Sequence, residues 1–353
     1  MSPRLSVIVV TYDSAEAVAR CMPRLVEQLA PGDELIVVDN ASRDGTLEAV
    51  STAAPAARVL PQPRNLGFAA GANAGAAAAS GDLLLFLNPD AEPAAGFVEA
   101  IKAPARVDRG WAAWMGLVTM DGGGRINTSG GVIHFTGIAW SGEARRPVAA
   151  APAGPTEVAF LSGTCLALPR SAWERLGGFP EEFFMYCEDV DLSLRARLAG
   201  GRLGVEPAAR VDHDYDFAKG AAKWRRLERN RWAVLLRDYP GPLLGLIAPA
   251  LLATEVALLA IAAAGGWLPA KLLAWGDTLR SLPRLRRERR AVQATRTISA
   301  AEFAGRLTPD LDSAYLGRAA TLAPLRWSLR AYWHLVVAAL SASEVRPRER
   351  DRS

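Results

Sequence analysis

Short apolar runs alternate with helical segments over residues 5–88 of this chain. The apolar runs are LSVIVVTY (5–12), ELIVVDN (34–40), RVLPQ (58–62) and LLLFLN (83–88). Strands that alternate with helices over short connections form a mostly parallel sheet, because each connection must cross back over one face of the sheet. The pattern therefore predicts an α/β fold with helices on both faces of the sheet.

The alternation ends near Trp111, where glycine-rich, hairpin-like pieces and a Pro/Ala-rich loop (145–155) follow. FLSGTCLALPR then predicts another strand, SAWERLGG a short helix, and EDVDLSLRARLAG a helix that ends at glycine. We expect one domain over residues 1–238. A second region, 239–353, is expected to contain an apolar helical hairpin and a basic helical tail.

Polar side chains follow three of the predicted strands at the point where each strand ends. They are Thr11-Tyr12-Asp13, Asp39-Asn40 and Asn88-Pro89-Asp90. One such ending is ordinary, since Asp and Asn also cap helices and start turns. Three at one edge of a parallel sheet indicate a ligand site, because ligands bind beyond the carboxyl ends of the strands. A carboxylate at the tip of a buried strand predicts that Asp90 binds a hard cation.

The segment NLGFAAGANAG (65–75) is rich in glycine but is not a dinucleotide motif. Gly67, Gly71 and Gly75 are spaced by four residues, unlike G-x-G-x-x-G, and they follow the third strand instead of the first. Small residues at this spacing allow close packing of a helix on the sheet. They also allow backbone to approach a bound nucleotide.

Taken in order and spacing, VVTYDS, VVDNASRDGT, NLGFAAGANAG, LFLNPDAE and FFMYCEDVDLSLRARLAG resemble the family 2 glycosyltransferases. The nearest likeness is to the rhamnosyltransferase-like branch, and it covers residues 4–238. The resemblance implies the GT-A nucleotide-sugar-binding fold. It also implies an inverting transferase that takes a sugar from a nucleoside diphosphate.

The resemblance places the nucleotide at the strand tips. Asp39 is expected to hydrogen-bond the pyrimidine base, and the rest of the pocket is formed by Thr11, Tyr12, Asp13, Asn65, Gly67 and Asn88. Asn88 takes the first acidic position of the family's metal-binding Asp-x-Asp motif, so Asp90 is the only metal ligand from that strand. Several relatives have an arginine where this chain has Ala72, and some contact to the donor must therefore come from elsewhere.

A divalent metal, Mg²⁺ or Mn²⁺, neutralises the charge that appears on a departing diphosphate. The second protein ligand is predicted to be His213. Of the three histidines, it alone follows a predicted strand and lies among acidic residues. The alternative for His213 is a surface histidine in a polar turn. His134 and His334 lack such neighbours and are interpreted as structural.

The acceptor hydroxyl must lose a proton as it attacks, and a positioned carboxylate removes it best. Asp189 matches the base of the family, and Glu188 is expected to orient the acceptor or the base. The alternative is an acidic pair that stabilises a helix N-terminus. On the same helix, Asp191 and Arg195 have the spacing of an ordinary i,i+4 ion pair.

The segment 243–265 is an almost unbroken apolar run, and Glu255 is its only charge. A shorter apolar piece (267–275) follows, and basic clusters at 223–231 and 280–290 flank the two. Basic flanks on both sides favour a re-entrant or two-pass hairpin, or an interfacial helix pair, at a membrane. The alternative is a buried helix of a soluble domain.

Charge and cysteine content agree with a location at the cytoplasmic face of the cell membrane. Residues 271–353 contain 16 Lys and Arg but 8 Asp and Glu, which favours an anionic membrane surface as a partner. No nucleic-acid recognition motif accompanies these arginines. The three cysteines lack a paired spacing, and the chain opens into a strand without a signal-like segment.

Two function classes follow. The first is a glycosyltransferase that moves a sugar, with rhamnose as the preferred choice, onto a cell-surface glycan or a lipid-linked oligosaccharide. Its donor would be dTDP-rhamnose or a UDP-sugar. The alternative is a non-catalytic nucleotide-sugar-binding or glycan-assembly protein on the same fold, for which Asn88 and Ala72 are the hints.

Overall fold

The computed structural model of the chain describes residues 3–214, 220–314 and 322–345. Two compact units are present. The first comprises Met1–Gly131, Ser141–Ala196 and Gly201–Asp216, and the second comprises Val132–Trp140, Arg197–Gly200 and Phe217–Ser353.

The amino-terminal half of the first unit alternates strands and helices as the sequence predicts. Its elements are β1 (Leu5–Thr11), α1 (Ala15–Val26), β2 (Glu34–Asp39), α2 (Thr46–Ala53), β3 (Arg58–Pro61), α3 (Gly67–Ala78), β4 (Leu83–Leu87), β5 (Glu92–Pro93) and α4 (Phe97–Arg106). Every residue of β1 and β4 is buried. Side chains buried on both faces explain why these strands are apolar throughout and do not alternate with polar residues.

The first unit continues with further strands, which join the same sheet, and with two helices. They are β6 (Trp111–Met120), β7 (Arg125–Thr128), β10 (Thr156–Glu157), β11 (Cys165–Pro169), α5 (Arg170–Leu176), α6 (Glu188–Leu198) and β12 (Arg202–Asp212). A separate hairpin consists of β8 (Gly131–Ile133) and β9 (Ala139–Ser141).

The main sheet has the strand order β10-β12-β6-β11-β4-β1-β2-β3. The part formed by β4, β1, β2 and β3 is parallel. Strand β11 runs antiparallel to both β4 and β6, and β12 runs parallel to β6. The sheet is therefore mixed, and β12 points in the same direction as β4.

Helix α3 packs on the sheet through glycine. A Cβ at Gly75 would lie 2.4 Å from Ile8 Cγ2, and a Cβ at Gly71 would lie 2.7 Å from Val10 Cγ1. No larger side chain fits between this helix and strand β1 at the observed separation. The spacing of these two glycines thus serves close helix–sheet packing, as the sequence indicated.

The second unit is mainly helical. Its helices are α7 (Gly220–Asp238), α8 (Gly241–Ala264), α9 (Leu268–Ala294), α10 (Ala300–Ala304) and α11 (Ala323–Val345). The division places α7 in this unit, whereas the sequence-based boundary followed residue 238. Helices α8 and α9 are joined by a short turn at Gly265-Gly266. Residues 315–321 and 346–353 of the predicted basic tail lie outside the described residues.

Helix α8 is the one described helix that is long and apolar enough to cross a membrane, judged by length and composition. Only 22% of its most apolar window is buried. This degree of exposure disagrees with the interpretation of 243–265 as the buried core helix of a soluble domain.

Four charged side chains from α7, α8 and α9 form a buried charge cluster, which consists of Glu228, Arg231, Glu255 and Lys271. Arg231 bonds to both glutamates, and Lys271 Nζ lies 2.7 Å from Glu255 Oε2. Lys271 also pairs with Glu228. Two acids and two bases balance formally, which is the condition under which charges are tolerated in an interior. Glu255, the only charge of α8, is therefore turned inward.

Candidate active site

Strand direction brings two predicted metal ligands to the same edge of the sheet. Strand β5 pairs antiparallel with the end of β12, so that Glu92 lies opposite Asp212. Asp90 precedes β5 by two residues, and His213 directly follows β12. As a result, His213 Nε2 lies 3.1 Å from Asp90 Oδ1.

Backbone contacts hold His213 in place. Its N–H donates to Thr119 O, and its carbonyl accepts from Asn127 Nδ2, each at 2.8 Å. The imidazole is 3% exposed, whereas the Asp90 carboxylate is 44% exposed. His213 is therefore a buried side chain at the end of a strand. This placement disagrees with the alternative of a surface histidine in a turn.

Asp90 and His213 fit the requirements of a small divalent cation. Two ligands on adjacent octahedral positions, each about 2.1 Å from Mg²⁺, are about 3.0 Å apart, which matches the observed separation. The described residues contain no group of three or more His, Cys, Asp or Glu that could hold a metal. The protein would thus supply two ligands, and diphosphate oxygens and water would supply the others.

Asp39 is held at the end of β2 by neighbouring hydroxyl groups. Its carboxylate accepts from Thr11 Oγ1 at 3.0 Å, from Ser42 Oγ at 2.5 Å and from Ser42 N at 3.1 Å. Asp39 and Thr11 are both buried, whereas Tyr12 is 51% exposed. Thr11 thus supports Asp39, and Tyr12 presents its ring to solvent.

Asp13 also makes contacts within this loop region. Its Oδ1 accepts from Arg43 N at 2.8 Å, and its own N–H donates to Ser42 Oγ at 2.9 Å. Asp13 has a positive φ of 46°, which is uncommon outside glycine. The two loops that follow β1 and β2 are therefore tied together beside Asp39.

The turn before α3 is fixed from both sides. Asn65 Oδ1 accepts from Gly67 N at 2.9 Å, and Asn40 Nδ2 donates to Gly67 O at 3.0 Å. Gly67 has a φ of +83°, and a Cβ there would lie 2.4 Å from Phe184 O. Any side chain at this position would collide with Phe184, which explains why residue 67 is glycine. The approach of a nucleotide to Gly67 stays a prediction.

Asp189 is positioned by two backbone N–H groups at the start of α6. Its Oδ2 accepts from Gly163 N at 2.9 Å, and its Oδ1 accepts from Val190 N at 2.8 Å. The next residue, Thr164, is bonded to the end of β4, because Asn88, which directly follows that strand, donates its N–H to Thr164 O at 3.0 Å. One short loop therefore joins the predicted base to the strand that precedes Asp90.

Glu188 and Asp189 differ in what surrounds each carboxyl group. Burial raises the pKa of Glu188 well above its usual value, and the charge of Asp189 raises it further. Burial also raises the pKa of Asp189, but its hydrogen bonds from Gly163 and Val190 act in the opposite direction. Within the described structure, Glu188 Oε2 is buried without a hydrogen-bond partner. The pair therefore favours a proton on Glu188 and a negative charge on Asp189.

The segment that leads into this pair has unusual backbone conformations. Phe184, Tyr186 and Cys187 have φ values of 65°, 75° and 64°. Such conformations cost on the order of 1–3 kcal/mol each and persist where the surrounding structure enforces them. Ala69 N donates to Phe184 O at 3.2 Å, which links this segment to the start of α3.

The structure also places several residues that the sequence singled out for other roles. Arg195 Nε lies 2.7 Å from Asp191 Oδ2, which confirms the predicted i,i+4 pair. His134 is buried and hydrogen-bonds to Thr136 Oγ1, and His334 is exposed. Ala72 is fully buried against the core. The sequence interpretation missed Ser42, Asn127 and Gly163, although the small residues of LSGT before β11 could have indicated a loop near the site.

Sequence comparison identifies related glycosyltransferases. The family model "Glycosyl transferase family 2" matches residues 6–177, and "Glycosyl transferase family group 2" matches residues 116–342. N-acetylglucosaminyl-diphospho-decaprenol L-rhamnosyltransferase of Mycobacterium tuberculosis is 32% identical over 62% of this chain and 79% of its own. Rhamnosyltransferase WbbL of Escherichia coli K12 is 43% identical over 20% of this chain and 28% of its own.

A comparison of structures shows the fold. The crystal structure of GalNAc-T7 with UDP, GalNAc and Mn²⁺ superposes with a TM-score of 0.57. The match covers 68% of this chain and 48% of that one, at 18% sequence identity. At this identity the match supports a mixed α/β, GT-A-like fold for the chain and nothing finer.

The Glu188→Gln variant tests the division of charge between the two carboxyl groups. Glu188 has a higher pKa in the folded than in the unfolded state, so wild-type stability falls as pH rises above the unfolded value of about 4.3. Glutamine does not titrate. The free energy of unfolding of the variant relative to wild type should therefore increase by about 1.4 kcal/mol per pH unit in that window.

Urea unfolding at a series of pH values measures this difference. Glu182→Gln, a change at an exposed position of the same segment, controls for the altered net charge. A difference between Glu188→Gln and wild type that does not change with pH would show that Glu188 is ionised in the folded protein.

Proposed function

Because the chain belongs to the family 2 glycosyltransferases, and is therefore an enzyme, we propose that it transfers rhamnose with inversion from dTDP-rhamnose to a lipid-linked acceptor. The observation that carries this proposal is the assembly of Asp39, Asp90–His213 and Asp189 at one edge of the sheet. The non-catalytic alternative rested on Asn88 and Ala72 alone. It does not account for a carboxylate held by two N–H groups beside that edge.

Asp39 is proposed to bind the nucleoside base. Its carboxylate already accepts from Thr11 and Ser42, and two oxygens with about four acceptor sites leave room for one more donor. The imide N–H of uracil or thymine is such a donor, whereas cytosine and adenine have no ring N–H on the corresponding edge. The remaining nucleotide contacts are assigned to Tyr12, Asp13, Asn65, Gly67 and Asn88.

Asp189 is proposed to act as the base. The acceptor hydroxyl gives its proton to the carboxylate while its oxygen forms a bond to the anomeric carbon of the sugar. The bond from that carbon to the diphosphate oxygen breaks, and the nucleoside diphosphate leaves with the electron pair. Hydrogen bonds from Gly163 and Val190 keep the carboxylate charged and aimed, and protonated Glu188 avoids a second negative charge beside it.

Asp90 and His213 are proposed to hold Mg²⁺ or Mn²⁺. A bound cation there would neutralise the negative charge of the departing diphosphate. Their separation of 3.1 Å and the exposure of the Asp90 carboxylate support this role. The contacts from Thr119 and Asn127 keep His213 in place.

The acceptor and the location are proposed from the relatives and from the second unit. The Mycobacterium tuberculosis relative is named for a diphospho-decaprenol acceptor, which is a lipid-linked sugar. An enzyme with such an acceptor must work at a membrane, and α8 is an exposed apolar helix. We therefore place the protein at the cytoplasmic face of the cell membrane, in cell-surface glycan synthesis.

Replacement of the base should abolish most of the turnover. Asp189→Asn should lower kcat by on the order of 10²–10⁴ and leave donor binding nearly unchanged, because the carboxylate acts in proton transfer. Steady-state kinetics and calorimetric titration with the nucleoside diphosphate measure the two effects. Glu182→Gln, an exposed acid seven residues earlier, should retain activity. Normal turnover with weakened donor binding would contradict the assignment of Asp189.

Removal of metal should stop the reaction. Activity should disappear with EDTA and return with Mg²⁺ or Mn²⁺, and Asp90→Ala and His213→Ala should each require more metal for that rescue. Calorimetric titration of Mn²⁺ in the presence of the nucleoside diphosphate gives the affinity independently of turnover. His334→Ala changes an exposed histidine and serves as the control. Full activity in chelator would exclude this role for both residues.

A panel of dTDP-, UDP- and GDP-sugars tests the donor. We expect dTDP-rhamnose to give the highest kcat/KM, and UDP-sugars to be disfavoured only moderately, since one methyl group is worth about 1–3 kcal/mol. Preference for a GDP-sugar would contradict the assignment of a pyrimidine base to Asp39. Preference for a UDP-hexose would exclude rhamnose and leave the chemistry of Asp189 unaffected.

A further inference from the structure

Helix α8 presents an uncharged surface to its surroundings. Its sequence contains one ionisable residue, Glu255, and that side chain belongs to the buried charge cluster. On its outward face Leu252 and Val256, about 40° apart at 100° per residue, are 69% and 62% exposed. A helix of 24 residues is about 36 Å long. An apolar face of this length on a soluble surface marks an interaction site.

The buried charge cluster argues against α8 as a membrane span. Glu255 is bonded to Arg231 of α7 and to Lys271 of α9, and Trp275 Nε1 also donates to it at 2.7 Å. If α8 crossed the bilayer with these contacts intact, α7 would enter the bilayer with it. Asp, Glu, Lys and Arg occupy eight of the 19 positions of α7. Charged side chains in the hydrocarbon region are costly, so this arrangement is excluded.

Helix α9 is also too short in its apolar part to span. Its large exposed apolar side chains end at Leu279, about 17 Å from Leu268, whereas the hydrocarbon core is about 30 Å thick. A two-pass hairpin therefore does not fit the structure.

The exposed face of α9 changes from apolar to basic along its length. At 100° per residue, exposed leucines in the first half of the helix and exposed arginines in its second half fall within about 140° of arc. They are Leu272, Leu273, Leu279, Arg286, Arg287 and Arg290. Leucines followed by arginines on one face match the boundary between acyl chains and phosphate groups.

We propose that α8 lies in the plane of the membrane interface, with its apolar face among the lipid chains of one leaflet and the α9 arginines on anionic phospholipid phosphates. The occupant of this surface is thus a lipid bilayer, because the arginines complement negative headgroups. The buried charge cluster holds α8 against α7 and α9, so the helix does not insert across the bilayer. This inference rests on the proposed membrane location and is independent of the proposed chemistry.

Flotation of the full chain with vesicles tests the surface. Leu252→Gln/Val256→Gln removes two apolar side chains of the outward face and should weaken vesicle binding by on the order of 100-fold. Val59→Gln/Val107→Gln, at exposed apolar positions of the first unit, should have no effect. Circular dichroism confirms that each variant is folded, and transfer to a water-soluble acceptor should be unchanged in all of them.

The role of the arginines is tested by vesicle composition. Vesicles of phosphatidylcholine with one third phosphatidylglycerol should bind the wild-type chain much more tightly than phosphatidylcholine alone. Arg286→Gln/Arg287→Gln/Arg290→Gln should lose about 100-fold on the anionic vesicles only, and high salt should produce the same loss. Equal binding to both compositions would contradict the contact with phosphates.

Three further results would overturn the inference. Wild-type binding by the α8 variant would exclude its apolar face, and retention in membranes after alkaline carbonate washing would show a span. A dimer that the α8 variant dissociates, without vesicle binding by the wild type, would show that a second copy covers the face. Failure of every donor in the transfer assay would refute the proposed chemistry and leave the flotation result standing.

Discussion

The direction of strand β12 is the constraint on which the candidate site depends. Two strands separate β12 from β4, and because β11 and β6 each reverse direction, β12 again points the same way as β4. Its carboxyl end therefore reaches the edge at which β4 ends, and the short β5 pairs with it there. Asp90 and His213 are far apart in the sequence, and this strand pairing is what brings them together. The geometry of two side chains is thus fixed by backbone hydrogen bonds.

The carboxyl groups of Asp39, Asp189 and Glu188 differ in the hydrogen bonds that they accept. Asp39 accepts from two hydroxyl groups and one N–H, and Asp189 accepts from two N–H groups. Glu188 lies in the same kind of interior, but its Oε2 accepts from no described group. Because hydrogen bonds offset the desolvation of an anion, Asp189 can carry the negative charge of the adjacent pair while Glu188 holds the proton. Adjacent residues can therefore differ in role although their side chains are chemically alike.

Local sequence patterns predicted the strands and the residues at their ends. Buried strands such as β4 have a continuous apolar pattern, and the i,i+4 pair of Asp191 and Arg195 depends only on helical spacing. Contacts between distant segments leave no such pattern. The hydrogen bond from Gly163 to Asp189 and the pairing of β5 with β12 depend on how the chain folds back, so the sequence named Asp189 and His213 but not what holds them.

The apolar run of α8 shows why composition alone does not decide how a helix meets a membrane. Its length and hydropathy satisfy the requirement for a span, and a single glutamate changes the argument. A lone charge in such a helix is tolerated in a bilayer only with its partners, and here the partners belong to helices that are themselves rich in charge. Removing one partner from a buried ion pair destabilises a protein by about 3–5 kcal/mol. Glu255 therefore does not readily exchange its contacts with Arg231 and Lys271 for contacts with lipid. The partners of Glu255, more than the twenty-three uncharged residues around it, therefore determine which side of α8 is exposed.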